Sequence, residues 1–139
     1  MIAVDTNILV RYAIRDDVQQ AEIAKTFLQK HECLILKSVL LELVWVLSAG
    51  YKLPKEKAIE RIHHILCLPT ISTEDANNVL LALQWYEHGM DFGDALHLVT
   101  SIDKAEGFST FDKGIVNTAK RLNIQHEIYF LSGKGKIKN

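Results

Sequence analysis

Short apolar segments alternate with longer segments of helical periodicity along the chain, and this alternation restricts the possible folds more than any other feature. The apolar runs are too short for buried helices, so we predict them to be buried strands. The longer segments carry apolar residues at helical spacing beside charged ones, which is typical of helices that cover a sheet. Strands are predicted at 2–4, 34–36, 70–71, 107–110 and 127–130, with helices starting near residues 6, 17, 38, 54, 76, 91 and 112. The pattern indicates the α/β class, with a mostly parallel sheet between helices.

The composition fits one domain of this kind. The chain has 139 residues, 48% of them hydrophobic, which is enough for a substantial core. We expect the domain to span 1–131 and a basic, flexible tail to span 132–139; the alternative for the tail is an arm that contacts phosphates. No apolar run approaches the length of a membrane span, and no secretory signal precedes the first strand, so a cytoplasmic location is expected. The net charge of −1 argues neither for nor against a nucleic-acid partner.

Four carboxylates lie where apolar elements end or turn polar. Asp5 and Asp112 follow predicted strands, Asp94 lies in the first turn of a predicted helix, and Glu42 interrupts an apolar helix that we expect to be buried and capped by Ser38. Carboxyl ends of parallel strands form one edge of a sheet, where ligands bind. Carboxylates gathered there would repel one another, and a divalent cation with oxygen ligands would neutralise them.

Each carboxylate also has a simpler interpretation. Asp5 and Asp112 could be N-caps of the helices that follow them, and Asp91 with Asp94 could form a variant of the capping box. Glu42 has no capping role in the middle of an apolar helix, although the fold could pair it with an arginine. These alternatives stay open on the sequence alone.

Together the motifs resemble those of the PIN-domain family, specifically the VapC-type toxins of toxin-antitoxin pairs. They are MIAVDTNIL at 1–9, SVLLEL at 38–43, DFGDALHL at 91–98 and STFD at 109–112. The resemblance implies a three-layer α/β/α nuclease fold with a mostly parallel central sheet. It also implies dependence on Mg²⁺, for which Mn²⁺ substitutes, endonucleolytic cleavage of RNA, a homodimer, and inhibition by a small cognate antitoxin.

The resemblance places the catalytic quartet on Asp5, Glu42, Asp94 and Asp112. Of these, Asp5, Asp94 and Asp112 are interpreted as metal ligands, and Glu42 as a ligand or as the group that orients the attacking water. Phosphodiester hydrolysis needs an activated water and a cation near the phosphate, and oxygen ligands suffice for that chemistry. Supporting roles are assigned to Thr6, Asn7, Ser38, Asp91 and Thr110.

The sequence therefore predicts a metal-dependent endoribonuclease toxin that cuts single-stranded or loop RNA through a metal-activated water. The main alternative is a catalytically silent PIN-like module that binds RNA or a partner. A receiver domain fits less well because Thr6 and Asn7 stand where its acidic pair would be. A haloacid-dehalogenase-type phosphatase would need an aspartate at the position of Asn7.

Other reactive or aromatic side chains have structural interpretations. We expect His97 to be a packed helix histidine and His63 and His64 to be solvated. Trp45 and Trp85 lie in apolar helical patterns, which favours packing in the core or against another subunit over base stacking. Cys33 and Cys67 lack metal-site spacing and are expected to be buried, inert thiols.

Overall fold

The computed structural model describes residues 1–132 and 137–138. The chain divides into two compact units, Met1–Val79 and Leu80–Asn139, and each is described by itself below. Among the described helices, none combines the length and the apolar character needed to cross a membrane. The predicted domain boundary at residue 131 stays a prediction. Within the expected tail, residues 133–136 and 139 lie outside the described residues.

The first unit is built on a parallel sheet of three strands in the order β1-β2-β3. Ile2 lies opposite Cys33, and Cys33 lies opposite Ile71. Its elements are β1 (Ile2–Ala3), α1 (Thr6–Ile14), α2 (Val18–Lys30), β2 (Cys33–Ile35), α3 (Lys37–Trp45), a π-helical segment (Val46–Gly50), α4 (Lys55–Leu66) and β3 (Ile71–Thr73). Each strand is followed by a helix in the chain, as the sequence predicted.

The second unit contains its own three-stranded sheet, in the order β4-β5-β6. β4 and β5 are parallel, with Gly107 opposite Glu127, and β6 joins antiparallel to β5. Its elements are α6 (Phe92–Lys104), β4 (Gly107–Thr110), α7 (Lys113–Arg121), β5 (Glu127–Leu131) and β6 (Ile137–Lys138), and α5 (Ala76–Glu87) contains the boundary between the units. The α/β class with mostly parallel pairing is confirmed, and β6 was not predicted.

The start of α3 differs from the prediction. The helix begins at Lys37, and the residue at its N-cap position, Leu36, makes no side-chain capping bond. The carboxylate of Glu74, just after β3, instead accepts a hydrogen bond from the backbone N–H of Lys37 at 2.8 Å. Ser38 is therefore not the cap, because Glu74 already accepts the hydrogen bond of the first helical N–H.

The first strand is also less buried than predicted. Ile2 is 42% exposed and Ala3 is exposed, whereas Val4, directly after the strand, is buried. Among the strands that the structure describes, β1 pairs only with β2 and so lies at one end of the order β1-β2-β3. In the first unit the core consists of side chains from α1, α2, β2, α3 and α4, among them Leu9, Leu28, Ile35, Leu43 and Ile62.

Candidate active site

In the first unit, Thr6 joins two carboxylates of the predicted quartet. Asp5 is the N-cap of α1, and its Oδ1 accepts a hydrogen bond from the backbone N–H of Thr6 at 2.8 Å. The hydroxyl of the same threonine donates to Oε1 of Glu42, 36 residues later on α3. Thr6 is only 5% exposed, while both carboxylates are exposed. A buried hydroxyl between α1 and α3 therefore fixes one carboxylate oxygen of Glu42 and leaves the acidic groups open to solvent.

Two predicted supporting residues of this unit are not part of that arrangement. Asn7 and Ser38 are exposed, and within the described part of the chain neither forms a hydrogen bond with Asp5 or Glu42. Their supporting roles stay predictions. Thr6, by contrast, forms hydrogen bonds with both Asp5 and Glu42.

The second unit places Asp91, Asp94 and Asp112 at the starts of two helices. Asp91 is the N-cap of α6, and its Oδ2 accepts from the backbone N–H of Asp94 at 3.1 Å. Asp112 is the N-cap of α7, and its Oδ1 accepts from the N–H of Gly114 at 2.8 Å. The hydroxyl oxygen of Thr110 accepts from the N–H of Asp112 at 2.9 Å. Asp91 and Asp112 are therefore N-caps, as the capping interpretation predicted. Capping is compatible with metal binding, because each capping carboxylate still has an oxygen available as a ligand.

Electrostatics link the three carboxylates of this unit. Desolvation by burial raises the pKa of Asp94 above its usual value, and the negative charges of Asp91 and Asp112 raise it further. His97, one turn later on α6, acts in the opposite direction. This histidine is exposed, so the prediction of a packed histidine is wrong. His97 faces solvent because Ala95, Leu98 and Val99 occupy the buried face of α6.

The candidate metal-ligating atoms in each unit are oxygen atoms of carboxylates and hydroxyls, which suit a hard divalent cation. Burial and the charges of Asp91 and Asp112 disfavour the ionised form of Asp94 and so raise its pKa, an effect that a bound cation would oppose. In the parts of the two units that the structure describes, however, no group of three or more His, Cys, Asp or Glu side chains is arranged to hold a metal ion. The donor chemistry fits a metal, and its ligand set remains the one predicted from the sequence.

The tryptophans differ in their surroundings. Trp85 is buried on α5, whereas Trp45 is 65% exposed at the end of α3. Packing in its own core is therefore excluded for Trp45, and packing against a second subunit stays a prediction. The expectation that α3 is largely buried is also wrong, because one face carries Leu40 and Leu43 inward while Glu42 and Trp45 face solvent.

Two further expectations need correction. His64 is exposed, but it is not simply solvated, because its Nε2 lies 3.0 Å from the hydroxyl of Tyr12 and the two rings stack. Cys33 is buried, and burial raises the pKa of its thiol, as expected of an inert cysteine. Cys67 is exposed instead, because it follows the last turn of α4.

An exposed aromatic residue beside the site was missed by the sequence analysis. Phe111 lies between Thr110 and Asp112, and 72% of it is exposed. No role was predicted for this phenylalanine, because it lies between the strand predicted at 107–110 and the helix predicted from Asp112. The signal that it leaves the sheet was the aspartate that follows it, since β4 ends at Thr110 and α7 begins at Lys113.

Comparison with protein families identifies the family to which the chain belongs. The family described as the PIN domain matches residues 2–121, a range that includes all four predicted catalytic carboxylates. The chain belongs to the PIN-domain family, whose members are generally metal-dependent nucleases with a three-layer α/β/α fold. A search of curated proteins found no match.

Proposed function

We propose that this protein is an Mg²⁺-dependent endoribonuclease that acts as the toxin of a toxin-antitoxin pair. The observation that carries the proposal is the position of Asp91, Asp94 and Asp112 at the starts of α6 and α7. Burial, together with the charges of Asp91 and Asp112, raises the pKa of Asp94, and a bound cation would offset this effect. Family membership points to nuclease chemistry. The pair formed by Asp5 and Glu42 supplies the remaining acidic residues of the proposed site.

The proposed ligands of the ion are Asp5, Asp94 and Asp112. When bound, a divalent ion supplies an activated water and neutralises charge on the scissile phosphate. Glu42, held by the hydroxyl of Thr6, orients the attacking water and accepts its proton. The water oxygen forms a bond to phosphorus, the bond to the leaving ribose oxygen breaks, and that oxygen takes a proton from solvent.

Supporting residues hold these groups in place. Thr110 accepts from the backbone of Asp112 and fixes the turn that leads into α7. Asp91 caps α6 and so orients the first turn, which contains Asp94. Rigid orientation of ligands by neighbouring hydrogen bonds is a general requirement of metal sites.

An RNA substrate is supported by the exposed ring of Phe111 beside Asp112. Proteins that recognise single-stranded RNA stack unpaired bases on aromatic side chains. A base next to the scissile phosphate could use this ring, and bases in a regular duplex could not. We therefore propose single-stranded or loop RNA as the substrate.

The assembly and regulation of the enzyme are part of the same proposal. The exposed Trp45 on α3 is suited to a homodimer interface, since a large aromatic side chain is costly to leave in water. A small antitoxin could mask the acidic site with arginine or lysine side chains. Both would operate in the cytoplasm.

The test is cleavage of a labelled RNA containing a stem-loop, in Mg²⁺ or Mn²⁺ and in EDTA. Wild-type protein should cut the loop only with metal, and Asp112→Asn should reduce the rate at least a hundredfold. Glu106→Gln removes an exposed charge from the loop before β4 and is the matched control. If purified wild-type protein leaves RNA intact with metal present yet binds it, the silent binding module replaces the enzyme.

The toxin role has its own test. Expression of the wild type without a partner should arrest bacterial growth, and Asp112→Asn should relieve the arrest while remaining folded. If the wild type cleaves RNA in vitro but leaves growth unaffected, the chain is a nuclease without a toxin role.

A further inference from the structure

A groove between α1 and α4 has a chemistry that the proposed active site does not use. It encloses about 480 Å³ within the first unit. Its lining side chains are Tyr12, Ala13, Arg15, Lys57, Glu60, Arg61, His64 and Ile65. Three of these are permanent cations and one is an acid, so the lining carries a net charge of +2 with His64 neutral.

The basic side chains of α4 in the groove come from one face of the helix. Lys57, Arg61 and His64 are spaced four and three residues apart, which puts them on one side of α4. Arg61 donates from Nη1 to the backbone carbonyl of Ala13, which anchors it at the end of α1. This contact joins α1 and α4 through two residues that are 48 positions apart in the chain.

The ionic partners within reach only partly neutralise the groove. Arg15 pairs with Glu22 on α2, and both side chains remain substantially exposed. Lys57 lies 3.8 Å from Glu60, also with both side chains exposed. Exposed pairs of this kind contribute little stability, so either cation can turn to a stronger anion at small cost.

An aromatic surface lies beside these charges. The rings of Tyr12 and His64 are 5.9 Å apart between centroids and differ in plane by only 9°. Their hydroxyl and Nε2 atoms are 3.0 Å apart, which fixes the pair. Cations together with a planar ring surface are the combination with which proteins bind single-stranded nucleic acid.

We propose that this groove binds the phosphates of the RNA substrate, with a base stacked on the pair of Tyr12 and His64. The inference rests on the proposed ribonuclease function and adds a second contact surface for the same strand. RNA is favoured over an acidic protein because the stacked rings offer a surface for bases as well as the positive charge. The acidic groups near Asp5 repel a polyanion, so affinity for RNA has to come from elsewhere on the molecule.

Helix α1 sets the distance between the two surfaces. Asp5 caps its first turn, and Arg15 follows its last residue. A helix of nine residues is about 14 Å long, or roughly four nucleotides at the 3.4 Å spacing of stacked bases. A single strand could therefore contact the groove and the carboxylates with a few nucleotides between them.

The experiment measures metal-free binding of a fluorescein-labelled single-stranded RNA by anisotropy, in EDTA, from 50 to 200 mM NaCl. The double variant Lys57→Gln/Arg61→Gln removes two proposed phosphate contacts, so the slope of log K against log salt should become shallower by about 1.4. Over this fourfold range of salt, the wild-type affinity should then fall about sevenfold more than that of the variant. The matched control is Lys104→Gln/Lys120→Gln, which removes two exposed lysines from α6 and α7.

Because Arg61 also anchors α1, Lys57→Gln alone is tested in parallel and should change the slope by about 0.7. An unchanged slope in both groove variants, or an equal change in the control, overturns the proposal. So does tight binding of polyglutamate that RNA does not displace. The binding assay contains no metal, so its result does not depend on cleavage. If the groove variants change the slope as expected but the wild type does not cleave RNA in Mg²⁺, the ribonuclease function is contradicted and the groove assignment stands.

Discussion

Thr6 provides the sharpest test of how the first unit orients its acidic groups. Thr6→Val keeps the shape of a buried side chain and removes the hydroxyl that donates to Glu42. A hydrogen bond to a charged group contributes about 1.5–3 kcal/mol, and the lower end applies because water can reach the exposed Glu42. The melting temperature should therefore fall by about 5 °C, taking roughly 3 °C per kcal/mol for a chain of this size.

The effect on activity should be larger than the effect on stability. Loss of a partner that orients a catalytic group typically costs ten- to hundredfold in activity, and this loss should appear in kcat. The assay is steady-state cleavage of the stem-loop RNA with saturating Mn²⁺, with a melting curve for each variant. Thr6→Ser is the matched control: it keeps the hydroxyl and loses one methyl group, at about 1 kcal/mol.

The serine variant should retain most of the wild-type kcat although it is also destabilised. If the valine variant cleaves at the wild-type rate, or if the serine variant loses as much kcat as the valine variant, Thr6 does not act through Glu42.

Three more predictions concern the second unit. Asp94→Asn should stabilise the metal-free protein at pH 7: the pKa of Asp94 is raised in the folded state, so wild-type stability falls as pH rises through that pKa. Melting curves should show this advantage disappearing below the unfolded pKa of about 3.9, and an advantage independent of pH would contradict it. Gly114→Ala would bring a Cβ to 3.0 Å from Oδ1 of Asp112. Its cleavage rate should therefore fall while its melting temperature holds, since alanine favours the helix by about 1 kcal/mol; an unchanged rate would argue against a role for this carboxylate. Phe111→Ala should raise KM for RNA at least fivefold, from a stacking contribution of about 1–3 kcal/mol per base, with Phe111→Tyr close to wild type.

The order of elements could be read from the sequence because it depends on local periodicity. Apolar spacing located α2, α4 and α5, and strand ends located Asp5 and Asp112 at the starts of helices. These signals arise within a few residues, so no knowledge of tertiary contacts was needed. The short strand β6 carried no such signal, because two residues next to a run of glycines and lysines have no readable period. The π-helical segment at Val46–Gly50 was not predicted.

Features that depend on long-range contacts could not be predicted in the same way. The bond from Thr6 to Glu42 and the capping of Lys37 by Glu74 each join residues more than 35 positions apart. The same holds for the groove, whose lining residues lie on or next to α1 and α4 and include the pair of Arg61 and Ala13, 48 positions apart. The exposure of Trp45 was missed because a helix that is apolar nearly all round does not indicate which side faces solvent.

The central claim is that Asp5 and Asp112, which the sequence predicted to be metal ligands, each bind a divalent metal ion. The most direct measurement is isothermal titration of Mn²⁺ into the wild type and into Asp5→Asn and Asp112→Asn, with Glu106→Gln as the control. We expect each of the two substitutions to weaken Mn²⁺ binding at least tenfold, and the control to bind as the wild type does. Wild-type affinity for Mn²⁺ in either aspartate variant would contradict the role of that aspartate as a metal ligand.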